Sequence, residues 1–188
     1  MNTRPQTTGL ILAGGAGRRV KGQDKGLLEW RGRPLIEHVL DRFKPQVAGL
    51  IISCNRNIQR YRQYSELTVE DELSDYQGPL AGLQAASSLL NTSLLAVTPC
   101  DTPLLPSDLV EKLWQSMMRH DADICYARDH EREHFLCALI RREALSDLKH
   151  FMDAEGRAVK AWYASKKTVA HTFDDGTDGF TNFNKLGA

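Results

Sequence analysis

Thr8-Gly9-Leu10-Ile11-Leu12-Ala13 runs without interruption into Gly14-Gly15-Ala16-Gly17-Arg18-Arg19-Val20-Lys21-Gly22-Gln23-Asp24-Lys25. The first six residues are short and nearly continuous in apolar character, the pattern of a strand buried on both faces. The loop behind them holds four glycines and four basic residues between Gly14 and Lys25. Glycine permits positive φ and close backbone approach, so successive amides can converge on a phosphate. Arg18, Arg19, Lys21 and Lys25 add charge where phosphate oxygens would lie. The loop is not a Walker A motif, because Gln23 follows Gly22 where lysine and serine or threonine are required. It is not a dinucleotide fingerprint either, since Val20 stands where glycine or alanine is needed. The residues by themselves leave two readings open, a phosphate cradle and a solvated basic turn.

Working outward, apolar runs alternate with helical periodicity. Pro34 to Phe43 carries Leu35, Val39 and Leu40 at helical spacing, with proline suited to the first turn. Strands are expected at Val47–Cys54 and Leu67–Glu70, and a helix at Pro79–Leu90. Leu94-Leu95-Ala96-Val97-Thr98 reads as another buried strand, ended by Pro99-Cys100-Asp101-Thr102-Pro103, whose prolines stop both ladder and helix. A helix from Pro106 or Ser107 to Arg119 follows, then strands at Asp123–Ala127 and Phe135–Ile140. Helices at Arg142–Met152 and Arg157–Ala164 and a strand at Thr168–Phe173 complete the chain. Such alternation predicts a single three-layer α/β/α domain over residues 1–188 with a mostly parallel, doubly wound sheet. Parallel sheets place ligands beyond the carboxyl ends of their strands. Those ends are Ala13-Gly14-Gly15, Ser53-Cys54-Asn55, Glu70-Asp71 and Pro99-Cys100-Asp101, which gathers polar and glycine residues at one rim.

The chain has 188 residues, with 24 lysines and arginines against 24 aspartates and glutamates. Zero net charge excludes binding to polyanions through bulk charge, though not a local anion site. Basic residues are not striped with aromatics, so no nucleic-acid partner is expected. No apolar run approaches the roughly 18–20 residues that span a bilayer, so no membrane association is expected. Met1 to Gln6 lacks the features of a signal peptide, and Cys54, Cys100, Cys125 and Cys137 form no Cys-x-x-Cys pair. Buried, reduced thiols in a cytoplasmic protein are the expectation.

Leu12-Ala13-Gly14-Gly15-x-Gly17-x-Arg19-x-x-Gly22-x-Asp24-Lys25 resembles the signature loop of the molybdenum cofactor guanylyltransferases. The likeness extends through Leu27-Leu28-Glu29-x-x-Gly32-x-Pro34-Leu35, Asn55-Arg56, Glu70-Asp71 and Gly78-Pro79-Leu80-Ala81-Gly82. It continues in Pro99-Cys100-Asp101-Thr102-Pro103 and Asn182-x-Asn184, so it covers nearly the whole chain. The resemblance implies a Rossmann-like nucleotidyltransferase fold and transfer of GMP from GTP to molybdopterin or molybdenum-molybdopterin, with Mg²⁺ as cofactor. Transient contacts with other molybdenum-cofactor proteins and a monomeric state are expected with it. A related enzyme using CTP or a sugar-phosphate acceptor is the neighbouring reading. A non-catalytic GTP-binding cofactor carrier is the reading from another class.

By the same resemblance Leu12, Ala13 and Gly14 line the guanine nucleotide site, while Gly15 amides and Lys25 hold the triphosphate. Arg19 is a further candidate for pyrophosphate charge. Asp101, mounted between two prolines, is implied to be the metal ligand, and Asp71 a nucleotide contact. Asn55 has an amide suited to a base edge or ribose. Many relatives carry asparagine where this chain has Ser53, so the contact there is altered. Gly82 and its turn bear on base choice, and the Gly14-Gly15 pair favours guanine over cytosine. Asn182 and Asn184 alternate in an extended segment implied to close over metal and phosphates. Arg132 and His134 fall where the pterin would bind. His130 and His134 are four apart, but they lie between two expected strands, which reads as a charged hairpin and not a helical metal pair. Cys100 reads as a packing residue, as do Trp30, Trp114 and Trp162.

Overall fold

The computed structural model describes residues 3–14, 23–70, 78–174 and 179–183. Its elements, in chain order, are β1 (Thr7–Leu12), the two-residue strands β2 (Glu29–Trp30) and β3 (Arg33–Pro34), α1 (Leu35–Phe43), β4 (Gly49–Ser53), α2 (Ile58–Tyr61) and β5 (Leu67–Val69). They continue as α3 (Pro79–Ser87), β6 (Leu94–Pro99), α4 (Leu109–Arg119), β7 (Ile124–Arg128), β8 (Glu133–Arg141), α5 (Leu148–Asp153), α6 (Val159–Tyr163) and β9 (Thr168–Thr172).

Seven strands form one sheet in the order β5-β4-β1-β6-β8-β7-β9. β1 pairs in parallel with β4 and β6, β4 with β5, and β7 with β9. β8 alone runs backwards, antiparallel to both β6 and β7. Alternation along β1 explains the layers. Ile11 packs with Ile36, Val39 and Phe43 of α1 and Leu109 and Leu113 of α4 on one face. Leu10 packs with Leu80 and Leu83 of α3, Leu148 of α5 and Trp162 of α6 on the other. Successive strand side chains point to opposite faces, so a strand apolar at every position must be covered on both sides. The architecture is the three-layer, mostly parallel sheet that the sequence implies.

Local differences have physical reasons. The expected helix at Arg142–Met152 splits into a 3-10 stretch, Arg142–Asp147, followed by α5. The expected strand at Val47 starts two residues later, because Lys44–Gln46 first form a 3-10 turn with proline near its start. The hairpin of β2 and β3 carries too little apolar alternation to be read from sequence. It turns through Arg31 and Gly32, both at positive φ (51° and 76°), as short hairpin turns require. All four cysteines are buried and unbridged, and Trp114 and Trp162 are core residues. Trp30 is half-buried, with the Arg31 guanidinium 4.4 Å from its ring.

Candidate active site

The ladder continues one residue past the strand ends. Ala13 N donates to Ser53 O (2.7 Å), Cys100 N to Leu12 O (3.1 Å) and Cys54 N to Val69 O (2.9 Å). These bonds hold the carboxyl ends of β1, β4, β5 and β6 level, and a cavity of about 880 Å³ opens above them. Leu12, Ala13, Gly14, Lys25, Ser53, Gly82, Asp101 and Asn182 all line it. Residues from five distant segments, each expected from sequence to meet the nucleotide or its metal and phosphates, therefore share one cavity.

Asp101 is the polar centre of this wall. It is only 6% exposed. Lys25 Nζ donates to its Oδ2 at 3.0 Å and Asn182 Nδ2 donates to the same oxygen at 2.7 Å. The backbone O of Asp101 accepts from Phe183 N at 3.0 Å, which straps the segment carrying Asn182 across the rim. Both side-chain donors converge on Oδ2, and among the described residues no hydrogen bond engages Oδ1. Asp101 lines the cavity, so its carboxylate offers a hard oxygen donor beside a space large enough for a nucleotide. Mg²⁺ seldom takes more than one or two protein carboxylates, filling its shell with phosphate oxygens and water. The donor set fits such an ion, and among the described residues no cluster of three histidines, cysteines or acids offers another.

The opposite corner is shaped by contact and not by charge. A Cβ on Gly82 would stand 2.6 Å from Ser53 Oγ and 2.8 Å from Leu12 Cδ2. Helix α3 can sit this close to β1 and β4 only because position 82 has no side chain. Ser53 is buried and lines the cavity. Asn55 does not line it directly, but its Nδ2 reaches Gly14 O at 3.4 Å and so braces the loop backbone. Gly15, Arg19, Asp71 and Asn184 lie outside the described residues.

The far wall comes from β8, whose amino-terminal half extends beyond the end of β6. β8 pairs Ala138 with Tyr126 and then His134 with Ala127, so Phe135, Leu136 and Cys137 bulge out of the β7 ladder. Bulges re-aim side chains beside sites, and all three line the cavity with Arg132 and His134. His130 and His134 belong to a charged hairpin and not to a helical pair, as the sequence suggests. Asp129 Oδ1 accepts from the amides of Glu131 and Arg132 (both 2.8 Å), and His134 Nε2 lies 2.6 Å from Asp129 Oδ2. Burial acts upward on the Asp129 carboxyl, but these hydrogen bonds win and hold it below the usual carboxylate range.

Further cations reach the rim without any motif to announce them. Arg157 and Lys160 line the cavity. Arg157 Nη1 donates to the carbonyls of Met152 (2.6 Å) and Gly156 (2.8 Å). Lys160 sits 3.8 Å from Glu133 and 5.8 Å from the Phe135 ring. Cys100 and Cys137 also face this space, but burial pushes the Cys100 thiol well up and the Cys137 thiol up to about 12. Both stay neutral, which agrees with packing and opposes a nucleophilic role.

Residues 9–169 match the family described as the MobA-like NTP transferase domain. A Shewanella sediminis (strain HAW-EB3) protein named molybdenum cofactor guanylyltransferase is 41% identical over 179 residues, covering 95% of this chain and 91% of the relative. The crystal structure of molybdopterin-guanine dinucleotide biosynthesis protein A from Archaeoglobus fulgidus superposes with a TM-score of 0.76 at 23% identity, covering 95% of this chain and 93% of that one. A manganese complex of a Mycobacterium tuberculosis H37Rv protein shares the fold at a TM-score of 0.64 and 15% identity, covering 90% and 89% of the two chains. A glycine loop, a buried aspartate on the sheet rim and a match over most of the length converge on one assignment. This chain belongs to the MobA-like NTP transferase family and is a nucleotidyltransferase.

Proposed function

We propose that the protein transfers GMP from GTP to molybdopterin or molybdenum-molybdopterin, forming molybdopterin guanine dinucleotide and releasing pyrophosphate. A terminal phosphate oxygen of the pterin attacks the α-phosphorus of GTP. The bond from that phosphorus to the β-phosphate oxygen breaks, and its electron pair leaves with pyrophosphate. The chemistry needs positioning and charge neutralisation more than covalent help. The observation that carries the reading is the meeting of Lys25 and Asp101 at 3.0 Å on the floor of one large cavity.

In this mechanism Lys25 neutralises triphosphate charge, together with the amides of Ala13 to Gly15 and with Arg19. Leu12, Ala13 and Gly14 take the guanine nucleotide, bounded by Ser53, Asn55 and Gly82, and Asp71 is a further nucleotide contact in this reading. The Asp101 carboxylate would hold a divalent cation, Mg²⁺ in this reading. When bound, such an ion would supply Lewis-acid polarisation of the phosphoryl group. Asn182 keeps Asp101 turned to the cavity, and Asn184 is a further contact to metal and phosphates in this reading. Arg132, His134, Phe135 and Arg157 form the acceptor side, where cations suit the pterin phosphate and an aromatic ring suits a flat heterocycle. The protein works as a monomer in the cytoplasm, a compartment that keeps thiols reduced. Among the described residues no helix is long and apolar enough to cross a membrane.

The test is pyrophosphate release with Mg²⁺ and molybdopterin, GTP competing against CTP. Preferred use of GTP is the expected result. Equal or preferred use of CTP defeats the guanine assignment, and GTP binding without turnover defeats the catalytic one.

A further inference from the structure

We propose that Tyr61 is a positioning residue for this reaction, its phenol acting through Asp24 to set where the Lys25 ammonium stands. The inference rests on the role given to Lys25 above. A lysine side chain has four rotatable bonds, so the placement of its charge depends on how firmly the backbone beneath it is fixed. That backbone is a single 3-10 turn, Lys25–Leu27, with Asp24 as its amino-terminal cap.

Three donors from two separate segments grip Asp24. Gly26 N (3.2 Å) and Tyr61 Oη (2.5 Å) donate to Oδ1, and Asn57 Nδ2 donates to Oδ2 at 3.0 Å. Asn57 caps α2 and Tyr61 ends it, so one short helix after β4 holds both oxygens of the cap. Tyr61 is fully buried. A Cβ on Gly26 would lie 2.5 Å from Tyr61 Oη and 3.4 Å from Cys100 Cβ and Sγ. The turn is therefore seated between the tyrosine hydroxyl on one side and the residue preceding Asp101 on the other. Burial, with the neighbouring Cys100 and Asp24, pushes the Tyr61 phenol upward, so it remains a donor. Nothing in the transfer chemistry itself calls for a tyrosine here. Its geometry makes sense as the anchor that keeps Lys25 in reach of Asp101.

The experiment is a double-mutant cycle between Tyr61→Phe and Lys25→Ala, read as kcat and KM with GTP, Mg²⁺ and molybdopterin. Tyr61→Phe keeps the ring and removes the hydroxyl. We expect kcat to fall about tenfold with KM for GTP changed less than about threefold, the scale typical of residues that orient a first contact. The thermal midpoint should fall by only the few degrees that loss of one buried hydrogen bond costs. In the Lys25→Ala background the same substitution should have no further effect, because a residue acting through Lys25 is silent once Lys25 is gone. Asn57→Gly removes the second donor from the exposed side and tolerates the positive φ of 53° at that position. It should show a smaller loss of kcat, again absent without Lys25, and it decides the matter if Tyr61→Phe fails to fold. Wild-type kcat, or an equal proportional loss in both backgrounds, overturns the inference while Lys25→Ala remains crippled. Wild-type activity in Lys25→Ala itself overturns the reading of Lys25, and the inference with it.

Discussion

Lys25 and Asp101 stand 76 positions apart in the chain, and their side chains meet at 3.0 Å. The Asp101 side chain is 8% exposed and that of Lys25 27%. Lys25 offsets the charge of the buried Asp101 carboxylate, since a buried charge without a partner is costly. The pair is also opposite in sign at the spot where the proposed mechanism brings a metal and a triphosphate together.

Lys25→Ala and Asp101→Ala should each lower the rate of pyrophosphate release by roughly 10²–10³-fold, the usual cost of one preorganised electrostatic contact. Circular dichroism should show both variants folded, because neither side chain belongs to the two apolar cores. Near-wild-type rates in both would sink the mechanism.

Gly82→Ala sets two effects against each other. Alanine inside α3 would add about 1 kcal/mol of helix propensity. Its Cβ would also fall 2.6 Å from Ser53 Oγ and 2.8 Å from Leu12 Cδ2, and overpacking of that kind costs about 1–3 kcal/mol. A net loss of stability in denaturant unfolding is expected, accompanied by weaker GTP binding, as Leu12 and Ser53 line the cavity. Adding Ser53→Ala removes the nearest clashing atom and should recover part of the loss. An unchanged or higher midpoint for Gly82→Ala alone would show that the helix moves freely over the sheet.

His171 on β9 gives a stability signal in an accessible pH range. Burial, then Lys112 and Arg119, lower its pKa below the usual 6.5, while Asp174 and Asp108 act weakly the other way. The folded state thus binds its proton later than the unfolded chain does as pH falls. Unfolding free energy must therefore drop as pH falls from about 6.5 through the folded pKa. Denaturant midpoints measured from pH 7.5 to 5 should show this decline in the wild type and a smaller one in His171→Gln. Parallel curves for the two proteins would remove His171 from the account.

Much of the fold was legible from local pattern. Leu10 and Ile11 point to opposite faces of β1, so an unbroken apolar run already demanded helices on both sides of the sheet. The glycine loop and Asp101 between its prolines were each visible as permissive or polar residues where strands end, while Asn182 entered through the family resemblance. Residues known to matter only through partners were not. Tyr61 lies in a polar stretch with no motif, and its hydroxyl acquires meaning only when α2 brings it to Asp24. Arg157 and Phe135 carry no pattern either. Their place in the wall follows from the bulge in β8 and from α6 folding back against it.

By itself, the sequence determined the elements, the layers and the rim on which the site stands, because hydrophobic periodicity and strand-end chemistry are written locally. Only the tertiary structure decided which oxygen of Asp101 is already engaged, how close α3 may come to Ser53, and what holds Lys25 in place. Those are relations between atoms from segments tens of residues apart. They depend on strand register and on distances of a few tenths of an ångström, which no local pattern encodes.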